Sequence, residues 1–326
     1  MIKGRLLIAN NEYKGPTDGR YILLFKRSDN GIYLSSDAGK SFRHTGITTD
    51  SYSSGSAAIS GDGRYMSIVH VIWGTHMVHR SADFGKTWST NSQSADFHQA
   101  IRMSNDGLVQ ITTTNGQYFR MSGDYGNYFN YIDTGIYRSG MRFLAMSDDG
   151  LTAMASSDSG SSYPLISRDT GLSWMDETRL SSAVSYGIAV SGDGKYCLVV
   201  YGDGTSRPFH RSQNWGFDWI SVSSPANTWA GDAQISHTGK YQCFTETAYN
   251  GIHFSDDYGV TWNNIAGYVP TWGQYLMPCA DENIRFMTSF NTPFFYKSTN
   301  GGNSWEAINT GSNQYNILAV NKYLGQ

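Results

Sequence analysis

One eight-residue pattern constrains this chain more than any other feature, because it recurs seven times along 326 residues. It reads Ser-x-Asp-x-Gly-x-(Ser/Thr)-(Trp/Phe), and its first copy spans Ser35–Phe42. Its conserved spacing is set by the central glycines, which lie 41 to 46 residues apart at Gly39, Gly85, Gly126, Gly171, Gly216, Gly259 and Gly302. Such a period indicates a repeat architecture, in which each repeat is one small unit packed on its neighbours.

The chemistry of the pattern is that of a tight turn between two β-strands. The Asp carboxylate accepts hydrogen bonds from turn amides, Gly adopts a positive φ without steric cost, and the closing aromatic residue packs inward. The acceptors in the successive copies are Asp37, Asp83, Asp124, Asp169, Asn214, Asp257 and Asn300. We interpret all seven as structural, and since Asn keeps a carbonyl acceptor we expect the turn to survive in the fifth and seventh copies.

A second turn repeats in phase with the first and completes the unit. Asp-Gly pairs stand at Asp18, Asp62, Asp106, Asp149 and Asp193, with Thr238-Gly239 and Asn283 at the last two places. Because Asp-Gly between apolar runs predicts a hairpin, each repeat reads strand A, Asp-Gly turn, strand B, loop, strand C, Asp turn, strand D. Seven such repeats predict an all-β fold, a seven-bladed β-propeller that forms one domain over residues 1–326.

The seven Asp turns resemble the Asp-box, or bacterial neuraminidase repeat, family over essentially the whole chain. The resemblance implies a sialidase-like fold whose Asp turns lie away from any active site. It brings no recognisable sialidase catalytic set, because Gly4-Arg5-Leu6-Leu7 lacks the Pro of the family's first arginine motif. The other candidate arginines have no recognisable flanking motif either; they are Arg43, Arg138, Arg142, Arg179 and Arg207.

The closing strand of the propeller has two candidates. Gln314–Val320 follows the seventh Asp turn and has the pattern of a further strand A. We expect it to complete the first blade, which joins the chain ends and hides sheet edges. The segment Arg5–Ala9 is the alternative for the same position.

Function is expected on the face that carries the variable loops B–C and D–A, since variable loops on a rigid scaffold usually carry binding sites. Several D–A loops place an aromatic residue just before strand A, namely Tyr52, Phe97, Tyr137, Tyr186, Trp229 and Trp272. If exposed, these rings would surround the mouth of the central channel and stack on sugar faces. The alternative is that each ring packs between neighbouring blades.

Composition excludes several classes of function. The net charge is −3 with a pI near 6.2, and no Lys/Arg run supports nucleic-acid binding. No segment approaches the length of a membrane span, and the N-terminus lacks a signal-peptide pattern, which favours synthesis in a cytoplasm. The three widely spaced cysteines predict reduced thiols rather than a disulfide or zinc site. We assign no cofactor and no metal; His76 and His79 lie on one strand with opposite parity.

We therefore expect a non-catalytic binding or structural propeller that contacts a glycan or protein surface, and we assign no catalytic residue. Compositional analogy favours a viral tail or virion component as its setting. A sialidase-like glycoside hydrolase acting at the channel mouth and a protein-binding assembly factor are the alternatives. An arginine cluster beside a Tyr–Glu pair would favour the enzyme, exposed ring aromatics a lectin, and a large apolar patch on one rim an assembly role.

Overall fold

Seven four-stranded antiparallel sheets form the described part of the protein, and none of these residues is helical. The computed structural model describes residues 19–26, 29–49, 55–72, 75–91, 100–114, 116–158, 162–201, 208–223, 230–246, 251–265, 274–278, 283, 285–289, 294–301, 303–309 and 315–320. The fold is the predicted seven-bladed β-propeller, with four strands in every blade.

The strands of the first four blades follow the predicted order along the chain. Blade 1 contains β1 Ile22–Lys26, β2 Gly31–Ser35 and β3 Arg43–Thr48. Blade 2 contains β4 Ser56–Ile59, β5 Met66–Ile72, β6 Thr75–Ser81 and β7 Ser89–Asn91. Blade 3 contains β8 Ile101–Met103, β9 Gln110–Thr113, β10 Gly116–Ser122 and β11 Asn130–Arg138. Blade 4 contains β12 Met141–Met146, β13 Ala153–Ser157, β14 Leu165–Ser167 and β15 Met175–Asp176.

The last three blades repeat this order, and the final strand returns to the first blade. Blade 5 contains β16 Gly187–Val190, β17 Cys197–Val200, β18 Phe209–Ser212 and β19 Ile220–Val222. Blade 6 contains β20 Ala230–Ile235, β21 Gln242–Glu246, β22 Gly251–Ser255 and β23 Asn263–Ile265. Blade 7 contains β24 Gln274–Pro278, β25 Arg285–Ser289, β26 Phe294–Ser298 and β27 Glu306–Asn309. Strand β28, Tyr315–Val320, pairs with β1, so the first sheet has the order β28-β1-β2-β3.

The innermost strands form a closed ring. Each of β28, β4, β8, β12, β16, β20 and β24 contacts the next strand, and β24 contacts β28. Strand A of blade 1 is therefore supplied by residues 315–320. The alternative closing segment, Arg5–Ala9, lies outside the described residues.

The hydrophobic core is divided into layers between adjacent blades. Tryptophans that close Asp turns pack against the preceding blade: Trp174 of blade 4 meets Phe119 of blade 3 edge-on at 4.5 Å between ring centroids, and Trp262 of blade 6 meets Phe209 of blade 5 at 5.1 Å. Both phenylalanines are fully buried. Because aromatic anchors supply large apolar contact areas with preferred edge-to-face geometry, each repeat stabilises its neighbour.

Candidate functional site

The two faces of the propeller have different roles. We call the face with the A–B and C–D turns the turn face, and the face with the B–C and D–A connections the loop face. The turn face is regular in all seven repeats. The loop face differs from blade to blade and holds the predicted ligand-binding residues.

The Asp turns on the turn face are held by one repeated set of hydrogen bonds. In blade 2 the Ser81 hydroxyl donates to Asp83 Oδ1 at 2.8 Å and accepts from the Gly85 amide at 2.9 Å. Asp83 Oδ1 also accepts from the Thr87 amide at 2.9 Å. The same acceptor position is occupied by Asp37, Asp124, Asp169, Asn214, Asp257 and Asn300, each bound to an amide four residues ahead.

Hydrogen bonds in four of these turns favour the ionised form of the Asp side chain. Burial alone raises the pKa of Asp83, but hydrogen bonds from Thr87 and Ser81 outweigh it and lower that pKa to about 2. The pKa values of Asp37, Asp169 and Asp257 are lowered by the same balance of burial and hydrogen bonds. A carboxylate that is saturated by turn donors is poorly suited to proton transfer, which agrees with a structural role.

A chain of main-chain hydrogen bonds joins the A–B turns around the centre of the turn face. The Gly61 amide donates to Asn105 O at 2.7 Å, Asn105 to Asp148 O at 2.6 Å, Asp148 to Gly192 O at 2.8 Å, and Gly192 to His237 O at 3.0 Å. These five residues occupy equivalent positions in blades 2 to 6. The A–B turns therefore tie neighbouring blades together directly.

A side-chain hydrogen bond crosses this central chain. His237 Nδ1 of blade 6 lies 2.6 Å from Asp148 Oδ2 of blade 4, across Gly192 of blade 5. A Cβ on Gly192 would lie 2.0 Å from that nitrogen and 2.4 Å from that oxygen, so the pair depends on glycine at this position. The pairing was missed by sequence reasoning, because no local pattern connects residues from blades 4 and 6.

The central ring of strands also holds a half-buried arginine that the sequence analysis did not single out. Arg102 on β8 donates to Ile101 O at 2.8 Å and to Ser56 Oγ at 3.4 Å. Burial lowers the pKa of Arg102, and the charge of Asp232 on β20 opposes that shift. Opposite charges from blades 3 and 6 thus interact within the ring.

Two of the six predicted ligand-binding aromatics lie in the described part of the chain. Tyr137, at the end of β11, is 71% exposed. Tyr186 is half-buried and meets Phe143 edge-on at 5.7 Å between centroids, which is the inter-blade packing considered as the alternative. The others lie outside the described residues: Tyr52, Phe97, Trp229 and Trp272.

Tyr137 lies in a segment that also carries two ion-paired arginines at the junction of blades 3 and 4. Arg138 Nη2 lies 2.7 Å from Asp176 Oδ1, and Arg142 Nη1 lies 2.9 Å from Asp158 Oδ2. The two arginines flank the short connection from β11 to β12, in which Gly140 O accepts from the Asp158 amide at 3.0 Å. Tyr137 and Arg138 are consecutive residues of β11, so their side chains point to opposite faces of the strand: the Tyr137 ring is exposed, whereas Arg138 is turned toward Asp176 of blade 4.

The arginines named above as candidates for a sialidase catalytic set each bind different partners in the structure. Arg43 donates to the Gly85 carbonyl of the next blade. Arg179 grips the buried carboxylate of Glu177 through two bonds of 2.6 Å, and it also donates to Gly216 O at 2.9 Å in blade 5. Arg138 and Arg142 have the different carboxylate partners given above. Arg5 and Arg207 lie outside the described residues.

The densest histidine group forms a buried pair. His76 and His79 are three residues apart on β6, so their side chains point to opposite faces of the strand. His79 instead contacts His70 of the neighbouring strand β5, with 2.7 Å between their Nε2 atoms. Burial and the neighbouring His70 lower the pKa of His79 to about 4. Among the described residues there is no group of three or more His, Cys, Asp or Glu that could hold a metal ion.

The described part of the chain contains two of the three cysteines. Cys197 and Cys243 are buried and are not joined in a disulfide, and burial raises the pKa of Cys197 to about 12. No described helix has the length and apolar character needed to cross a membrane.

Comparison with known proteins supports the fold. No protein-family model matches the chain, and no curated protein matches it. Solved structures do: "YCF48 bound to D1 peptide" has a TM-score of 0.59 at 16% identity, covering 84% of this chain and 92% of that chain. YCF48 from Cyanidioschyzon merolae has a TM-score of 0.59 at 12% identity, covering 79% and 85%.

An ancestral GH74 enzyme is also similar, with a TM-score of 0.62 at 12% identity over 94% of this chain. The match covers only 45% of that enzyme. At such identities the likeness shows the seven-bladed propeller fold alone.

Proposed function

We propose that this chain is a non-catalytic binding propeller that recognises a glycan on its loop face, at the junction of blades 3 and 4. The observation that carries the proposal is the 71% exposure of Tyr137 at the end of β11, next to the connection to blade 4. A tyrosine ring offers an apolar face for sugar CH groups.

The wider site extends along the same face to the aromatic residues that precede the other A strands. We assign ligand contacts to Tyr52, Phe97, Trp229 and Trp272 from their sequence positions, with Tyr186 as a packing residue at the margin. The proposal includes membership of the Asp-box family, supported by the repeated turn hydrogen bonds, and one propeller domain over residues 1–326. A virion or tail component is the proposed setting, supported by the Tyr-, Ser- and Asn-rich composition alone.

The non-catalytic assignment is supported by how the charged residues are used. Arg138, Arg142 and Arg179 are each bound to a different carboxylate, and Glu177 is 2% exposed beneath its arginine. Most glycoside hydrolases use two carboxyl groups that flank one bond, and the sialidase-like alternative uses a Tyr–Glu pair beside an arginine cluster. The carboxylates of Asp158, Asp176 and Glu177 are instead each held by one of these arginines.

A glycan array with one matched pair of variants tests the proposal. Tyr137→Ala should weaken binding of the best glycan by about two- to tenfold, since a stacked aromatic ring contributes about 0.5–1.5 kcal/mol beyond its buried area. Tyr128→Ala is the control, because Tyr128 is similarly exposed at 55% but stands in the Asp turn of the opposite face. Equal binding by both variants and the parent would contradict the proposed site.

The alternatives have their own readouts in the same series. Turnover of generic fluorogenic glycosides by the parent protein would show that it is a glycoside hydrolase and would overturn the non-catalytic proposal. Binding of peptides with no binding of glycans would replace it by a protein-binding function.

A further inference from the structure

The outer strand of blade 3 differs from the outer strands of the other blades. Strand β11 has nine residues, whereas β3, β7, β15, β19, β23 and β27 have two to six. It carries two strongly exposed tyrosines, Tyr131 at 54% and Tyr137 at 71%, and Tyr118 on the neighbouring strand β10 is 41% exposed. A group of exposed aromatic rings on one pair of strands marks a surface that binds a ligand.

Tyr118 and Tyr131 form a corner of two aromatic rings. The pairing of β10 with β11 sets Arg120 opposite Tyr131. It sets Tyr118 opposite Asp133, so these four side chains share one face of the sheet. The two tyrosine rings meet edge-on at 5.8 Å between centroids. The buried Arg120 guanidinium lies over the Tyr131 ring at 3.9 Å and donates to its hydroxyl at 2.6 Å, which holds the exposed ring in place.

Tyr137 is turned to the same side of β11 as Tyr131. Ile132, the neighbour of Tyr131, packs in the core layer between blades 3 and 4, and so does Ile136. Arg138 also points toward blade 4, where it forms its ion pair. Tyr137 stands between Ile136 and Arg138, and successive side chains of a strand alternate between its two faces. The exposed tyrosines therefore form one row on the face of β11 that is turned away from blade 4.

The row is longer than a single sugar ring. Strand β10 pairs through Arg120 with Tyr131 and through Gly116 with Arg138. At ~3.3 Å per residue, the stretch of β10 from Gly116 to Arg120 covers about 13 Å. Because Tyr137 directly precedes Arg138, its Cα lies about 10–13 Å along the strand from that of Tyr131. One pyranose ring is too short to contact both tyrosines, whereas a chain of several sugars reaches them.

The backbone of β11 is not arranged to receive an added peptide strand. The Gly135 amide donates to Asp133 Oδ1 at 2.9 Å, and the Ile136 amide donates to Thr134 Oγ1 at 3.1 Å. Both amides lie where the pairing with β10 is irregular. Bulges and locally bonded amides protect a sheet edge from pairing with another strand. Recognition on this strand is therefore through side chains, as in the stacking of sugars on aromatic rings, rather than through a main-chain ladder.

The charge beside the rings favours an uncharged ligand. Asp133 is exposed on the face that carries Tyr118 and Tyr131, and a carboxylate there accepts hydrogen bonds from sugar hydroxyl groups. Arg120 shares this face, but it is buried and bonded to Tyr131. An anionic sugar would meet the Asp133 carboxylate at the surface and be repelled by it.

We propose that the glycan is a neutral, linear oligosaccharide that lies along β11, with one sugar stacked on Tyr137 and a later sugar in the corner formed by Tyr118 and Tyr131. This inference rests on the proposed function, because it defines the length and the charge of the ligand that Tyr137 binds. It extends the site from the loop face along the outer edge of blade 3.

Titration calorimetry with linear oligosaccharides of N-acetylglucosamine, mannose and galactose, each of two, four and six residues, tests the length of the site. In a series that binds, affinity should rise about two- to tenfold from two residues to six, the contribution of one further stacked ring. Tyr131→Ala should abolish this rise and leave the affinity for the disaccharide unchanged. Tyr131→Phe should keep the rise, because the ring remains.

Tyr128→Ala is the matched control and should also keep the rise, since Tyr128 has a similar exposure of 55% but stands in the Asp turn. Urea unfolding confirms that all variants are folded. Equal affinity for the chains of two and six residues would overturn the inference, and so would a rise that survives Tyr131→Ala. Tighter binding of sulfated forms of the same chains would overturn the neutral charge of the ligand.

The inference and the proposed function fail in different ways. If none of the three series binds while other array glycans bind through Tyr137, the inference is wrong and the proposed function stands. A parent protein that binds no glycan on the array contradicts both.

Discussion

At the residue scale, the left-handed backbone of the Asp turns is not confined to glycine. The residue before each turn glycine also has a positive φ, at 64° for Phe84, 63° for Tyr125 and 58° for Trp215. Its amide donates to the A–B turn of the same blade, as Phe84 does to Arg64 O at 3.1 Å. The cost of about 1–2 kcal/mol per such residue is offset in part by stacking, since Tyr125 lies 4.4 Å from Tyr65 of the preceding blade.

The Asp turn of blade 2 gives a prediction on acid stability. The folded pKa of Asp83 is about 2, below its ordinary value of 3.8. The stabilisation is therefore fully present above pH 3.8 and is lost as the pH falls toward 2. Asp83→Ala should lower the free energy of unfolding at pH 7 by about 1–3 kcal/mol through lost hydrogen bonds, and the difference from the parent should shrink below pH 3.

Asp83→Asn is the matched control, because Asn214 and Asn300 hold equivalent turns through their side-chain oxygens. It should keep most of the stability at pH 7 and lose most of the acid dependence. Urea unfolding at pH 7 and pH 3 measures both. An alanine variant as stable as the asparagine variant at pH 7 would show that the carboxylate oxygen is not the element that holds the turn.

At the element scale, the strands and both turns of each repeat were predictable, because hairpin signals are local. The bulges in the outer strands were not. In β3 the pairing shifts between Gly31↔Thr48 and Tyr33↔His44, and in β11 it shifts between Gly116↔Arg138 and Tyr118↔Asp133. Bulges re-aim side chains, and these turn Ile47 and Ile136 toward the core layers between blades.

The pairing of β5 with β6 gives a second pH prediction. The pKa of His79 is about 4 in the folded protein, against its ordinary value of 6.5. As the pH falls, the unfolded state therefore binds this proton before the folded state does. Stability is therefore full above pH 6.5 and is lost between 6.5 and 4. At about 1.4 kcal/mol per pKa unit, the loss is ~3 kcal/mol.

His79→Leu should flatten the dependence of the unfolding free energy on pH across that window, whatever its effect at pH 7. His44→Asn is the control, since His44 lies exposed on β3 and its removal should leave the slope unchanged. Denaturant titrations at intervals between pH 7 and pH 4 provide the measurement. A slope that persists in His79→Leu would assign the acid sensitivity to other groups.

At the scale of the whole molecule, the sequence predicts the number of repeats but not the contacts between distant repeats. The number of blades follows from counting turns. The central chain of A–B hydrogen bonds, the Asp148–His237 pair and the Arg102–Asp232 interaction depend on how the circle closes, and no local pattern encodes them. The same is true of the candidate glycan site. Tyr137 was predictable from its place before strand A, whereas the neighbouring Arg138–Asp176 ion pair joins residues of two blades.

The closing strand β28 carries the last prediction. It is the only described strand of blade 1 that comes from the far end of the chain, and it pairs with β1 from Ile22↔Val320 to Lys26↔Tyr315. A chain ending at residue 314 leaves β1 with one sheet neighbour and removes the strand that β4 and β24 contact. Its midpoint of thermal unfolding should fall, and amides of Ile22–Lys26 should lose hydrogen-exchange protection before those of β16 and β17 in blade 5.

A synthetic peptide of residues 315–326 added in trans should restore protection to Ile22–Lys26, because the vacated edge of β1 presents main-chain groups that an added strand can pair with. A peptide of the same composition in scrambled order is the control. Unchanged protection of Ile22–Lys26 in the shortened chain would show that closure of the propeller does not depend on β28, and that the ring is held by contacts between blades alone.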